Sequence, residues 1–262
     1  LVDWSYWDSD PTRGDGPSPL PGPVESRARL ALERGFRLVG APAWGWCRWG
    51  VRAGESQLRN IDAYADVYRA IADPRCLGVI VTQWVPTRFI PGSVWDGPAY
   101  AGAALVQGSA AARLSALPRF VREYYGAEWD ETWADIFRTL HHIVPPRRAC
   151  SAGWMAPFQP PVWADEKGLD AVLAGQSPPF ALDLAWARLR AQIGVCAGKV
   201  RRNQDAYQAF ALSVEYLEHI HWRCAAAIEA QANPDRRGEI LHNIASRDAQ
   251  LVDALTRAWD EM

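Results

Sequence analysis

The sequence predicts an α/β region followed by an all-α region. Short apolar segments near residues 1–7, 36–42 and 77–82 alternate with helical patterns over 24–34 and 58–71, which is typical of parallel strands joined by helices. After residue 107 only helical periodicity remains. We therefore predict two parts, a βα region over residues 1–107 and a helical domain over residues 108–262.

Local signals support each element of the βα region. The first apolar segment ends at Asp-Ser-Asp-Pro, a turn sequence. The third, 77–82, is apolar on both faces, as a central parallel strand is. The predicted helices stop at Gly35 and at Asp73-Pro74. The loops that follow the strands are long and aromatic, so we expect a site at the carboxyl ends of the strands.

The helical domain is predicted from apolar stripes at helical spacing. One stripe covers residues 129–143 and ends at Pro145-Pro146. After a proline-rich connector at 158–162, longer stripes run over about 182–200, 207–228 and 240–259, and Asn233-Pro234 separates the last two. This pattern predicts an antiparallel helical bundle.

Composition excludes several classes of protein. The 262 residues are 49% hydrophobic and carry a formal net charge of −2, so we expect neither nucleic acid nor a membrane as partner. No apolar run has the length of a membrane span. The five cysteines are dispersed and predict free thiols. Nothing resembles a nucleotide-binding motif or a zinc site, so no cofactor and no metal are expected.

Tryptophans and one acid near the predicted strand ends are the candidate sugar contacts. Indoles offer flat apolar faces, and carboxylates accept hydrogen bonds from hydroxyls. Each candidate residue also has a purely structural interpretation. The acid could cap a turn, a tryptophan could pack beneath its loop, and an arginine could pair with a surface acid. No catalytic residue is identified. The predicted substrate-binding residues are Trp84, Trp44, Trp46, Asp8, Trp4 and Arg88.

Three segments resemble the last third of the barrel in family 20 glycoside hydrolases, closest to the hexosaminidase-D-like branch. They are Leu-Val-Gly-Ala-Pro-Ala-Trp at 38–44, Leu-Arg-Asn-Ile at 58–61 and Gly-Val-Ile-Val-Thr-Gln-Trp at 78–84. Pro-Ala-Tyr-Ala-Gly at 98–102 also fits the helix that closes such barrels. The resemblance covers about residues 1–107 and implies the last three βα units of a TIM-type (β/α)8 barrel.

The same resemblance implies a retaining β-N-acetylhexosaminidase whose substrate acetamide attacks the anomeric carbon, with N-acetylhexosamine-type glycans as partners. In the family an Asp orients the acetamide, and an adjacent Glu after the fourth strand protonates the leaving group. No Asp-Glu pair ends a strand here, and Val85-Pro86 stand after Trp84 where the family usually has an acid or tyrosine. We therefore expect the catalytic pair to lie outside this chain.

The beginning of the chain bears on these expectations. It starts at Leu1, inside a predicted strand and without an initiator methionine, so we expect a processed chain or a piece of a longer one. Five of eight βα units would then come from a missing amino-terminal part or a second subunit. The cellular compartment is not predicted, because an export signal would lie upstream of Leu1.

Two alternatives to a hydrolase fit the sequence. The first is a non-catalytic carbohydrate-binding or structural protein whose helical domain mediates interactions, favoured by the missing acid pair. The second is a barrel enzyme acting on a different polar substrate. The scarcity of histidine at the strand ends argues against metal-dependent members of that class.

Overall fold

Short parallel strands alternate with helices in the amino-terminal region, as predicted. The computed structural model describes residues 1–4, 23–45, 55–83, 90, 92–142 and 182–260. The elements of this region are β1 (Val2–Asp3), α1 (Val24–Glu33), β2 (Leu38–Gly40), β3 (Ala43–Gly45), α2 (Glu55–Ile71), β4 (Cys76–Val79) and β5 (Thr82–Gln83).

The strands pair in the order in which they occur along the chain. β1, β2 and β4 form a parallel sheet in that order, with Val2 opposite Val39 and Leu38 opposite Cys76. β3 and β5 form a second parallel pair. Neighbours in space are thus successive strands of the βα repeat.

The second predicted strand, 36–42, contains only β2 and is followed by β3. The third, 77–82, is divided between β4 and β5. Pro42 lies between β2 and β3 and has no N–H to donate, and its carbonyl accepts from the Thr82 N–H at 2.8 Å and from the Thr82 hydroxyl at 3.1 Å. The buried Asn60 side chain accepts from the Ala43 N–H at 3.0 Å. The prediction of continuous strands over 36–42 and 77–82 was therefore wrong in its bounds, because the register is irregular on both sides of Pro42 and pairing resumes between β3 and β5.

Helices α1 and α2 cover one face of the three-stranded sheet. Gly40 allows the close approach of α2, because a Cβ atom there would lie 2.6 Å from a Tyr64 ring carbon. The buried residues of this layer are Val24, Ala28, Ala31, Leu32, Leu38, Tyr64 and Tyr68.

A helical hairpin follows the sheet and is attached to α2. It consists of α3 (Asp96–Gln107) and α4 (Ser109–Phe120), joined at Gly108, whose φ of +89° favours glycine. Asp66 of α2 accepts from the backbone N–H and hydroxyl of Ser109 at 2.9 and 2.5 Å. Arg69 donates to the Leu105 carbonyl at 3.0 Å. An acid thus meets the amino end of α4 and a cation the carboxyl end of α3, as the helix dipoles favour.

A π-helical turn, Val121–Tyr125, extends α4. Pro118 lies inside α4 and removes one N–H from the α-helical ladder. Gly126 ends the turn with a φ of +63°, and the Ala127 N–H donates to the Val121 carbonyl. A π turn is rare and occurs mostly as a single widened turn within a helix.

The carboxyl-terminal region is helical, as predicted. Its helices are α5 (Glu131–His142), α6 (Leu182–Ala197), α7 (Gln204–Ala232) and α8 (Arg237–Asp260). Asp130 caps α5 by accepting from the N–H groups of Thr132 and Trp133 at 3.0 and 3.2 Å. An aromatic core that includes Tyr125, Trp133, Phe137, Tyr207 and Phe210 joins the π turn to α5, α6 and α7. Within the described ranges, no helix has both the length and the apolar character needed to cross a membrane.

Candidate functional site

The carboxyl ends of β3 and β5 form one edge of the candidate site. Gly45 and Gln83, the last residues of these strands, are register partners. Trp46 and Trp84, two of the predicted sugar contacts, are the next residues in the sequence. Both lie outside the described residues, as do Asp8 and Arg88, so their roles stay predictions.

Trp44 lies inside β3 and is part of the core. Only 3% of its surface is exposed, and it belongs to a cluster that includes Leu58, Ile61 and Tyr100. Gly97 of α3 lies directly against its indole, since a Cβ atom at Gly97 would overlap the ring. A stacked sugar needs exposed indole surface, so Trp44 is not among the proposed sugar contacts.

Trp4 differs from Trp44 in exposure and follows the end of β1. It is 48% exposed, so its ring has surface that a ligand can reach. The neighbouring residue Asp3 is buried at 3% exposure. The end of β1 therefore turns an indole toward the accessible side and a carboxylate toward the helices.

The Asp3 carboxylate is held by a buried arginine that the sequence analysis did not identify. Arg27 of α1 is 1% exposed, and its Nε donates to Asp3 Oδ1 at 2.9 Å. Its Nη2 contacts Asp3 Oδ2 at 3.4 Å and the Tyr64 hydroxyl at 3.3 Å. Its position in the sequence could have indicated its burial, because Arg27 shares the apolar face of α1 with Val24 and Ala31.

A second polar network ties the α3–α4 hairpin to α2. Tyr100 donates its hydroxyl to Asp62 at 2.5 Å. Arg113 donates to the other Asp62 oxygen at 3.0 and 2.6 Å. Burial, and then the hydrogen bond to Asp62, raise the pKa of Tyr100, so this phenol stays protonated near neutral pH and acts as a structural donor.

The described strand ends contain no pair of acids for glycoside chemistry. Asp3 is the one carboxylate within the five described strands, and Arg27 neutralises it. A two-carboxylate mechanism needs one acid that can be protonated and one free carboxylate. The described strand ends therefore provide no free carboxylate for such a mechanism.

The helical domain contains a polar cluster of its own between α7 and α8. His219 Nε2 lies 2.6 Å from Asp248 Oδ1, and Arg223 Nη2 lies 3.2 Å from the other Asp248 oxygen. His219 and Arg223 are buried. Over the described part of the chain, no group of three or more His, Cys, Asp or Glu side chains has the arrangement of a metal site.

Comparison with known proteins does not assign the chain to a family. No protein-family model, curated protein or solved structure matches the chain.

Proposed function

We propose that residues 1–107 are the last three βα units of a TIM-type barrel and form part of the sugar pocket of a retaining β-N-acetylhexosaminidase-like glycoside hydrolase. One observation carries the proposal. The residues that precede Trp46 and Trp84, Gly45 and Gln83, are partners on parallel strands. A tryptophan therefore comes next in the sequence after each of two neighbouring strand ends, and the carboxyl ends of the strands are where barrel enzymes bind substrate.

The topology supports the barrel part of the proposal. Sequential parallel strands β1, β2 and β4 are what a barrel requires of successive units. A doubly wound sheet would reverse its strand order at some point. The described strands contain no reversal of that kind.

The proposed binding residues are Trp84, Trp46 and Trp4, with Asp8 and Arg88 as polar contacts. Indole faces stack on the apolar face of a pyranose ring and exclude water from it. The Asp-Glu pair that orients the acetamide and protonates the leaving oxygen would be supplied by residues outside this chain. Asp3 has no catalytic part in the proposal, because Arg27 holds its carboxylate.

The test uses the complete natural polypeptide and a chromogenic N-acetyl-β-glucosaminide. We expect Trp84→Ala to lower kcat/KM about tenfold or more, since a stacked aromatic contact made by substrate and transition state is lost. Phe36→Ala is the matched control, because Phe36 is a half-exposed aromatic residue just before β2, at the opposite end of the strands. Equal kcat/KM for the Trp84 variant and the natural protein would reject the assignment.

A second function, sugar binding without hydrolysis, is favoured by the neutralised Asp3. Calorimetry with N,N′-diacetylchitobiose distinguishes the two. Saturable binding that Trp84→Ala weakens, with no release of chromophore by the complete polypeptide, would establish a binding protein. Hydrolysis would eliminate this alternative.

A further inference from the structure

A groove with an apolar floor lies between α3 and α4, and no residue of the described strands lines it. Its volume is about 730 Å³, which is within the range of pockets that take small organic ligands. Its floor consists of small residues, namely Ala99, Gly102, Ala103 and Ala116. Because these residues are small, the floor leaves room for a ligand.

Aromatic side chains also line the groove. One is Trp95, 52% exposed, at the amino end of α3. The others are Phe120 and Tyr124, which stack on each other with ring centroids 4.9 Å apart and planes 16° apart. The Asn203 side chain donates to the Tyr124 carbonyl at 2.7 Å, which holds the backbone at Tyr124 in place. An apolar body placed on the floor would thus have aromatic rings to contact.

The π turn gives the groove its charged rim. Arg119 donates to Glu123 at 2.9 Å, so these two charges neutralise each other. Arg122 lies on the same rim, and no acid pairs with it among the described residues. The groove therefore combines an apolar interior with one uncompensated positive charge.

We propose that the α3–α4 groove binds a free amphipathic carboxylate, with its hydrocarbon part on the alanine and glycine floor and its carboxylate on Arg122. Charge complementarity favours an anion, because Glu123, the acid among the described residues that line the groove, is already paired with Arg119. The groove runs along α3 from Pro98 to Val106, about 12 Å of helix, which suits a medium-length acyl chain. This inference is independent of the proposed sugar pocket.

The experiment measures displacement of a fluorescent carboxylate, dansylundecanoate, from the full chain by decanoate and by the uncharged decanol. We expect both competitors to bind the natural chain, decanoate more tightly. Arg122→Gln should weaken decanoate about tenfold and leave decanol unchanged, because only the charge-assisted hydrogen bond is lost.

A second variant fills the groove. A side chain at Gly102 meets no atom within 4 Å, so Gly102→Leu should fold and occupy the floor, abolishing binding of both competitors. Gly194→Leu is the matched control: Gly194 is an exposed helical glycine of α6 with equally open surroundings. It should bind as the natural chain does.

Three results would overturn the proposal. The first is no saturable binding of dansylundecanoate, and the second is full affinity in Gly102→Leu. The third is sedimentation with phosphatidylglycerol vesicles that Arg122→Gln abolishes while decanoate binding is absent, since this would assign the groove to a membrane surface. Circular dichroism of each variant shows that loss of binding is not loss of fold.

Discussion

The Arg27 guanidinium and the Asp3 carboxylate form an ion pair at 2.9 Å in the layer between α1 and the sheet, with 1% and 3% of their side chains exposed. Burial makes each charge costly unless the other is present. The Tyr64 hydroxyl lies within hydrogen-bonding distance of the same guanidinium. The pair therefore joins β1, α1 and α2 at one point.

Removing only one charge of this pair should strongly destabilise the fold. We expect Arg27→Met to lower the free energy of unfolding by about 3–5 kcal/mol. The double variant with Asp3→Asn should regain most of that loss, because neither charge is then left buried. Urea denaturation followed by circular dichroism measures both.

The control for the ion pair is Arg29→Met, two positions away on α1. Arg29 pairs with Glu25 at the surface, and such pairs contribute at most about 0.5 kcal/mol. If Arg27→Met and Arg29→Met had the same effect, the buried pair would have no special role.

Two glycines of α3 should respond oppositely to alanine. Gly97→Ala places a methyl group in the Trp44 ring, and we expect it to destabilise the fold by about 1–3 kcal/mol through overpacking. Gly102→Ala meets no neighbour and should stabilise by about 0.5–1 kcal/mol through helix propensity. Thermal unfolding of the two variants checks the sign of each, and the same sign for both would contradict the packing described.

Asn60 should matter more than its neighbour Arg59 on α2. Asn60→Leu leaves the buried Ala43 N–H without its acceptor, which costs about 1–3 kcal/mol. Arg59 is exposed, so Arg59→Leu should change stability by less than about 0.5 kcal/mol. Denaturant midpoints of the two leucine variants provide the comparison. An Asn60 variant as stable as the natural chain would show that the first N–H of β3 needs no side-chain acceptor.

The cap of α5 should make stability depend on acid pH. The hydrogen bond from Lys199, followed by those from backbone N–H groups, lowers the pKa of Asp130 below its ordinary value of 3.8. Because the folded pKa is the lower one, the contribution of Asp130 is complete above pH 3.8 and is lost as the pH falls through the folded pKa. The stability difference between the natural chain and Asp130→Asn should therefore shrink below about pH 4.

Unfolding measured at several pH values between neutrality and the acid limit tests this. Above pH 4 we expect the natural chain to exceed Asp130→Asn by less than about 0.5 kcal/mol, because asparagine also caps helices and only the exposed ion pair with Lys199 is lost. Lys199→Met removes the same ion pair and retains the cap, so its deficit should be similar. A difference that is constant over the whole pH range would show that Asp130 does not titrate differently in the folded state.

The order of elements could be predicted from the sequence because it depends on hydrophobic periodicity. Apolar segments near 38 and 77 and the helical spacing over 58–71 are local signals, and the structure has strands and a helix there. The strand bounds could not be predicted in the same way. They depend on Asn60 and Thr82, which reach the neighbourhood of Pro42 from distant parts of the chain.

The sequence predicts a location for the candidate site but not the direction of its side chains. The carboxyl ends of parallel strands were identified from loop length and aromatic content, whereas the direction of each side chain depends on tertiary packing. Trp44 and Trp4 both lie near the ends of predicted strands, yet Trp44 packs on Gly97 and Trp4 is half exposed. The groove was not predicted, because it forms between two helices that are unremarkable separately.

Because of the π turn at Val121–Tyr125, the orientation of α5 relative to α4 depends on a single residue. A π turn accommodates one residue more than an α-helix over the same rise. Deleting one residue there would allow an uninterrupted α-helix and rotate everything beyond it by about 100°. Trp129 and Trp133 would then leave the aromatic core that they share with Phe137. Homologous chains should therefore vary in length on either side of this turn and conserve its residue count.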